Sequence, residues 1–188
     1  MITALVTKAL TKPRNRPIVL GFSTIICAFV GTISAAWFGG YRINLTPSKP
    51  LGIWRIIKLD RAPAVGDVVF ICPLATAAML EARARGYLHA GLCPSGVAPL
   101  IKTVVALAGQ RVDVKVSVEV NGKPLPSSIV EQRDGQGRPM TRFAGGVVPP
   151  DHVFLFSPVA GSFDSRYFGP LPESAILGRA QEVLTYAP

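Results

Sequence analysis

At 188 residues and 20.0 kDa, with 49% hydrophobic and 16% charged residues, the chain has room for one folded domain and an anchor, and its composition excludes a disordered protein. A formal net charge of +9 suggests nucleic acid, yet Lys8, Lys12, Arg14, Arg16, Arg42, Lys49, Arg55 and Lys58 all precede Asp60, the first acidic residue, and the remaining 12 basic residues nearly cancel the 11 acidic ones. The excess flanks an apolar segment, where anionic lipid and membrane topology account for it without nucleic acid.

In chain order, a basic stretch at 1–17 precedes Ile18 to Phe38, which contains no charged residue. At the helical rise this segment spans about 31 Å, enough to cross a hydrocarbon core. Trp37 and Tyr41 stand at its far end, where amphipathic rings favour the interface. Lys8, Lys12, Arg14 and Arg16 keep the N-terminus cytoplasmic, so everything after Tyr41 is expected outside the inner (cytoplasmic) membrane, in the periplasm. Ser34-Ala35-Ala36 has the small residues of a cleavage site, but the apolar run exceeds the roughly 7–15 residues of a signal-peptide core. An uncleaved single-pass anchor is the expectation.

Beyond the anchor the pattern predicts a mainly β domain over 45–188. Asp67 to Ile71 reads as a short buried strand, stopped by Cys72-Pro73. Ala75 to Arg85 has no Gly or Pro and reads as helix. It lies within an insertion at 72–98 bracketed by Cys72 and Cys93, which are expected to pair in an oxidising compartment. Cys27 is an apolar filler within the anchor. Pro99 to Ala106 reads as a strand with Lys102 on the same face as Leu100 and Val104. Val112, Val114, Val116, Val118 and Val120 alternate with more polar positions and predict one half-buried strand, ended by a tight turn at Asn121-Gly122. Ser127 to Gly146, rich in Gly, Pro and charge, predicts a mobile surface excursion. His152 to Phe156 and Ala175 to Tyr186 read as strands.

Two residues carry chemistry. Ser48 stands between prolines in Thr46-Pro47-Ser48-Lys49-Pro50, just beyond the anchor. Taken alone it reads as a turn serine, whose hydroxyl merely bonds nearby backbone. Burial of Lys102 disfavours its charged form, and a neutral amine beside a serine hydroxyl can act as general base for acyl transfer. The bland alternative is an edge lysine whose head reaches solvent. His89 and His152 adjoin no acyl-transfer motif, which argues against a histidine-based triad. Neither a CxxC pair nor clustered histidines point to a metal, and no cofactor is implied. Leu51, Ile53, Trp54 and Ile56, close to Ser48, are expected to dip into the membrane interface.

These stretches resemble the serine–lysine signal peptidases of the type I superfamily, and more closely their conjugative-transfer (TraF-type) branch. Asn44 to Gly52 is similar to the nucleophile box, Gly66 to Val69 to the strand after it, Leu100 to Arg111 to the box carrying the base, and Ser162 to Pro170 to the closing box. The resemblance implies a signal-peptidase-like β fold with one transmembrane helix and a short helical insertion. It implies that Ser48 attacks the scissile carbonyl and Lys102 takes the proton. The Ser48 N–H and the Thr46 hydroxyl would hold the oxyanion, and Ser162 would orient the Lys102 amine. Asp164 and Arg166 would form an ion pair; whether Asp164 also takes part in catalysis stays open. Lys49 stands where general leader peptidases have methionine, and Ser157-Pro158 where they have Gly-Asp, both favouring the conjugative branch. The implied partners are a membrane-bound pilin-like precursor, the lipid bilayer and components of a conjugation (type IV secretion) apparatus. The alternatives are a housekeeping signal peptidase and a non-catalytic, membrane-tethered assembly domain.

Overall fold

The computed structural model describes residues 16–187; of the basic stretch expected in the cytoplasm, 1–15 lie outside the described residues. The chain divides into two compact units between Gly40 and Tyr41. The first contains helix α1 (Arg16–Phe38). Its stretch Leu20–Phe38 is long and apolar enough to cross a membrane. Leu20, Phe22, Ile25, Ile26 and Phe29 all face outward on it, and the Thr24 and Thr32 hydroxyls donate to the Leu20 and Ala28 carbonyls one turn back, each at 2.9 Å. A polar side chain satisfied in this way leaves little to desolvate in lipid. Tyr41 belongs to the second unit, where the Arg55 guanidinium stacks over its ring.

The second unit is built on an antiparallel seven-stranded sheet. In chain order its strands are β1 (Tyr41–Asn44), β2 (Leu51–Ile57), β3 (Val68–Ile71), β4 (Leu100–Leu107), β9 (His152–Phe156), β10 (Leu171–Pro172) and β11 (Ile176–Tyr186). Their spatial order is β1-β2-β11-β3-β4-β9-β10, so β11 lies between the strand that follows Ser48 and the strand beside Lys102. A four-stranded sheet, β7 (Lys123–Pro124), β6 (Val118–Val120), β5 (Arg111–Val114) and β8 (Gly146–Val147), covers a second core around Val112, Val118 and Phe154. The insertion carries helix α2 (Ala77–Ala84), N-capped by Thr76, and buries Met79 and Ala82 against Val69, Ile71 and Val104. A short helix α3 (Ser165–Phe168) follows the closing loop.

Three expectations change. The valine alternation from Val112 to Val120 is a hairpin, with Val114 opposite Val118 and Val116 exposed at its tip. The odd-numbered tip keeps the buried valines on one face through the reversal, so periodicity alone could not separate one strand from two. Trp54 does not reach the interface: it is 2% exposed, packs with Phe70 and Ile101, and donates from Nε1 to the Pro50 carbonyl at 2.9 Å. The most exposed apolar side chains of the flanking strands β1 and β11 are instead Ile43, Leu184 and Tyr186. Finally, 127–146 is tied down: Val130 is buried, Arg138 binds Asp134, and the Ile129 carbonyl receives Arg166 Nη1.

Cys72 and Cys93 form a disulfide. It closes the insertion, whose residues Tyr87, Leu88 and His89 wall the cavity described below. A loop of 21 residues' separation corresponds to about 3 kcal/mol of stabilisation. Of three cysteines in the chain, one is expected to react with a thiol reagent after denaturation without reductant, and all three after reduction. Three reactive thiols before reduction would show the bond absent. Replacing Cys72 and Cys93 together by serine should lower the melting temperature and loosen that wall.

Candidate active site

Ser48 lies in the loop between β1 and β2, and the loop's shape comes from Asn44. Asn44, 8% exposed, donates from Nδ2 to the carbonyls of Thr46, Lys49 and Pro50, at 3.0, 3.0 and 2.9 Å. Its Oδ1 accepts from the Thr46 N–H and hydroxyl. One amide side chain thus satisfies backbone groups around a proline-rich turn that could not pair with one another. At the loop's exit Gly52, at φ +124°, meets the β11 backbone so closely that a Cβ would collide with the Leu184 carbonyl.

Lys102 lies on β4, an interior strand between β3 and β9, and is 3% exposed. Its head does not reach solvent. Nζ donates to Ser162 Oγ at 2.5 Å. Burial, the largest influence, pushes this amine down to about 8 from the ordinary 10.5; Asp164 opposes the shift, while Arg166 and Lys49 reinforce it. Ser48, Lys102, Ser162 and Thr46 line one cavity of about 210 Å³ with Leu100, Val159 and the insertion wall. In this resting geometry Ser48 Oγ lies 3.4 Å from Thr46 Oγ1, and no hydrogen bond joins it to the Lys102 amine among the described residues. The Thr46 hydroxyl donates to Asn44 at 2.8 Å, so its proton is turned from the cavity. The Ser48 N–H has no protein acceptor among the described residues.

Asp164 and Arg166 form a two-pronged pair, Nε to Oδ1 and Nη2 to Oδ2, each 2.8 Å, with both side chains fully buried. Asp164 caps α3 and accepts from the Ser157 N–H. Arg166 also donates to the carbonyls of Ile129, Ser157, Val159 and Ser162. The pair therefore fixes the backbone of Ser162, and Ser162 holds the lysine.

Two residues of the constellation carried no role in the sequence reading. Asn44 was legible only as a polar residue at the head of a Thr-Pro turn. Ser157 was legible only as part of the Ser157-Pro158 departure from Gly-Asp: its hydroxyl donates to the Ser48 carbonyl at 2.7 Å across 109 residues of sequence, joining the Ser48 loop to the Asp164–Arg166 support.

The family described as signal peptidase, peptidase S26, matches residues 18–185. The chain is 70% identical over 175 residues to a probable conjugal transfer protein TraF of Sinorhizobium fredii, covering 93% of each. It is 53% identical over 176 residues to a conjugal transfer protein TraF of Agrobacterium tumefaciens, covering 93% of this chain and 99% of that one. A plasmid transfer protein TraF of Escherichia coli is 35% identical over 156 residues, 81% of this chain and 87% of its own. A solved signal peptidase I of Enterococcus faecalis aligns with a TM-score of 0.39 at 17% identity, covering 63% of this chain and 97% of that one.

Proposed function

The chain belongs to the peptidase S26 family of signal peptidases, and from that premise we propose that it is a membrane-anchored serine endopeptidase maturing a secreted, pilin-like conjugation precursor. The anchor is α1, with 1–17 cytoplasmic and the β domain, 45–188, in the periplasm. The observation that carries the reading is a buried lysine amine of lowered basicity held by Ser162 in the cavity that also contains Ser48. Relatives named as conjugal and plasmid transfer proteins support the conjugation substrate over a housekeeping one.

In this mechanism the neutral Lys102 amine removes the proton of Ser48 Oγ as the oxygen attacks the scissile carbonyl. Substrate binding tightens the Ser48–Lys102 approach, as catalytic hydrogen bonds commonly tighten on leaving the resting state. The Ser48 N–H receives the oxyanion, and the Thr46 hydroxyl joins it after turning from Asn44. Lys102 then gives its proton to the departing amine, leaving an ester on Ser48. Deprotonation of water by the same amine releases the product; attack by the substrate's own N-terminal amine would instead release a cyclic peptide.

Co-expression of the full chain with a candidate pilin precursor, read by intact mass, tests this. Ser48→Ala should leave the precursor unprocessed, and the wild type should yield a product heavier by one water for hydrolysis than for cyclisation. Processing that persists in both Ser48→Ala and Lys102→Ala excludes the enzyme.

A further inference from the structure

Lys49 follows Ser48 directly and has no part in the steps above. Its ammonium donates to Thr103 Oγ1 at 2.9 Å. Thr103 adjoins Lys102 on β4, and successive residues of a strand face opposite ways. Lys49 thus grips one face of β4 while Ser48 opens into the cavity reached from the other. The grip reinforces two contacts already described, Asn44 to the Lys49 carbonyl and Ser157 to the Ser48 carbonyl.

We propose that Lys49 is a positioning residue for the Ser48–Lys102 dyad: its bond to Thr103 clasps the nucleophile loop to the strand that bears the base, and its ammonium sets a second positive charge against that amine. The inference rests on the reading of Ser48 and Lys102 as a dyad. The charged groups bearing on Lys102 are few. Asp164 and Arg166 approach from the closing segment, and Lys49 from the nucleophile loop. Tyr87 and His89 of the insertion line the same cavity. Arg166 is matched by the Asp164 carboxylate at 2.8 Å, so the two largely offset each other. The acidic neighbour of Lys49 is Glu182, on the exposed side of β11. Being screened by solvent, it offsets Lys49 less completely. Lys49 itself is half-buried, and its basicity is lowered by that burial and raised by Glu182.

The test uses the full chain in detergent micelles, labelled with ¹³C-lysine. The Lys102 Cε resonance is assigned by its absence from Lys102→Ala, and its titration is followed in Lys49→Met, which keeps the stem, and Lys49→Arg, which keeps the charge. Lys49→Met should move the Lys102 midpoint upward by about half a pH unit to one unit, and Lys49→Arg much less. Precursor cleavage at pH 7 should fall about threefold to tenfold in Lys49→Met and converge on wild type in alkali, because a lower fraction of base is neutral. Lys49→Gln serves if the methionine variant fails to fold. Thr103→Val, which removes the acceptor but not the charge, should lower kcat with little movement of the midpoint. A midpoint unchanged in folded Lys49→Met and Lys49→Gln overturns the proposal. Absence of cleavage by the wild type would count against the dyad reading, while the resonance would still report the coupling.

Discussion

Lys102→Arg is expected to lower precursor processing on the order of 10³-fold or more, although it leaves a cation of similar reach in the same position. The guanidinium stays protonated at every accessible pH and cannot take the Ser48 proton. The native amine titrates near 8 because β4 buries it, so kcat/KM of the wild type should climb through about pH 8 and level off above it. A flat profile between pH 6 and 9 would show that Lys102 is not the base. The same burial has a stability signature of definite sign. Below about pH 8 the folded and unfolded chains both carry the proton, and the full cost of an ammonium in the interior is present. Between about 8 and the ordinary 10.5 the unfolded chain holds a proton that the folded chain has released, so stability rises with pH across that window. The cost corresponds to about 3 kcal/mol, of which the bond to Ser162 returns about 1 kcal/mol. Lys102→Met should therefore be inactive yet more stable than wild type by about 2 kcal/mol at pH 7, the gain disappearing as pH rises and giving way, above pH 10.5, to a loss of about 1 kcal/mol, the worth of the Ser162 bond. Denaturant unfolding at pH 7 and pH 10 reads both ends, and a variant less stable at pH 7 contradicts the account.

Arg166→Ala carries the largest expected loss of stability. The guanidinium is fully buried and donates to both Asp164 oxygens and to the Ile129, Ser157, Val159 and Ser162 carbonyls. Its removal strands a buried carboxylate and several carbonyls at once. Breaking one side of such a pair costs about 3–5 kcal/mol, which for a domain of this size lowers the melting temperature on the order of 10 °C. Lysine does not restore it, because a point charge cannot reach acceptors spread around a planar fork. Asp164→Asn should cost a comparable amount by leaving the guanidinium uncompensated. The double variant Asp164→Leu/Arg166→Met should be less destabilised than the two single changes summed, since it leaves neither charge stranded. A loss below about 1 kcal/mol for Arg166→Ala would mean that water already shares its place.

What the sequence made legible was local. An uncharged run fixes α1, Asn121-Gly122 fixes its hairpin with both residues at positive φ, and alternation places Lys102 on the face of Val104. The features it hid depend on partners far along the chain. Trp54 and Ile53 are neighbours on an alternating strand, and only pairing with β1 and β11 decides which of them is covered. Thr46 reads as an oxyanion donor, but nothing in its neighbourhood of sequence shows that Asn44 accepts its hydroxyl proton in the resting loop. Ser157 acquires meaning only from the Ser48 carbonyl it meets.

The place of β11 bears on how the protein comes into being. It comes last in chain order among the described strands, and it alone bridges β2, which leads out of the serine loop, to β3 and through it to β4. Until β11 pairs, the serine half and the lysine half have no hydrogen-bonded link within the sheet. The two sides of the candidate site therefore come to share one sheet only when β11 is paired.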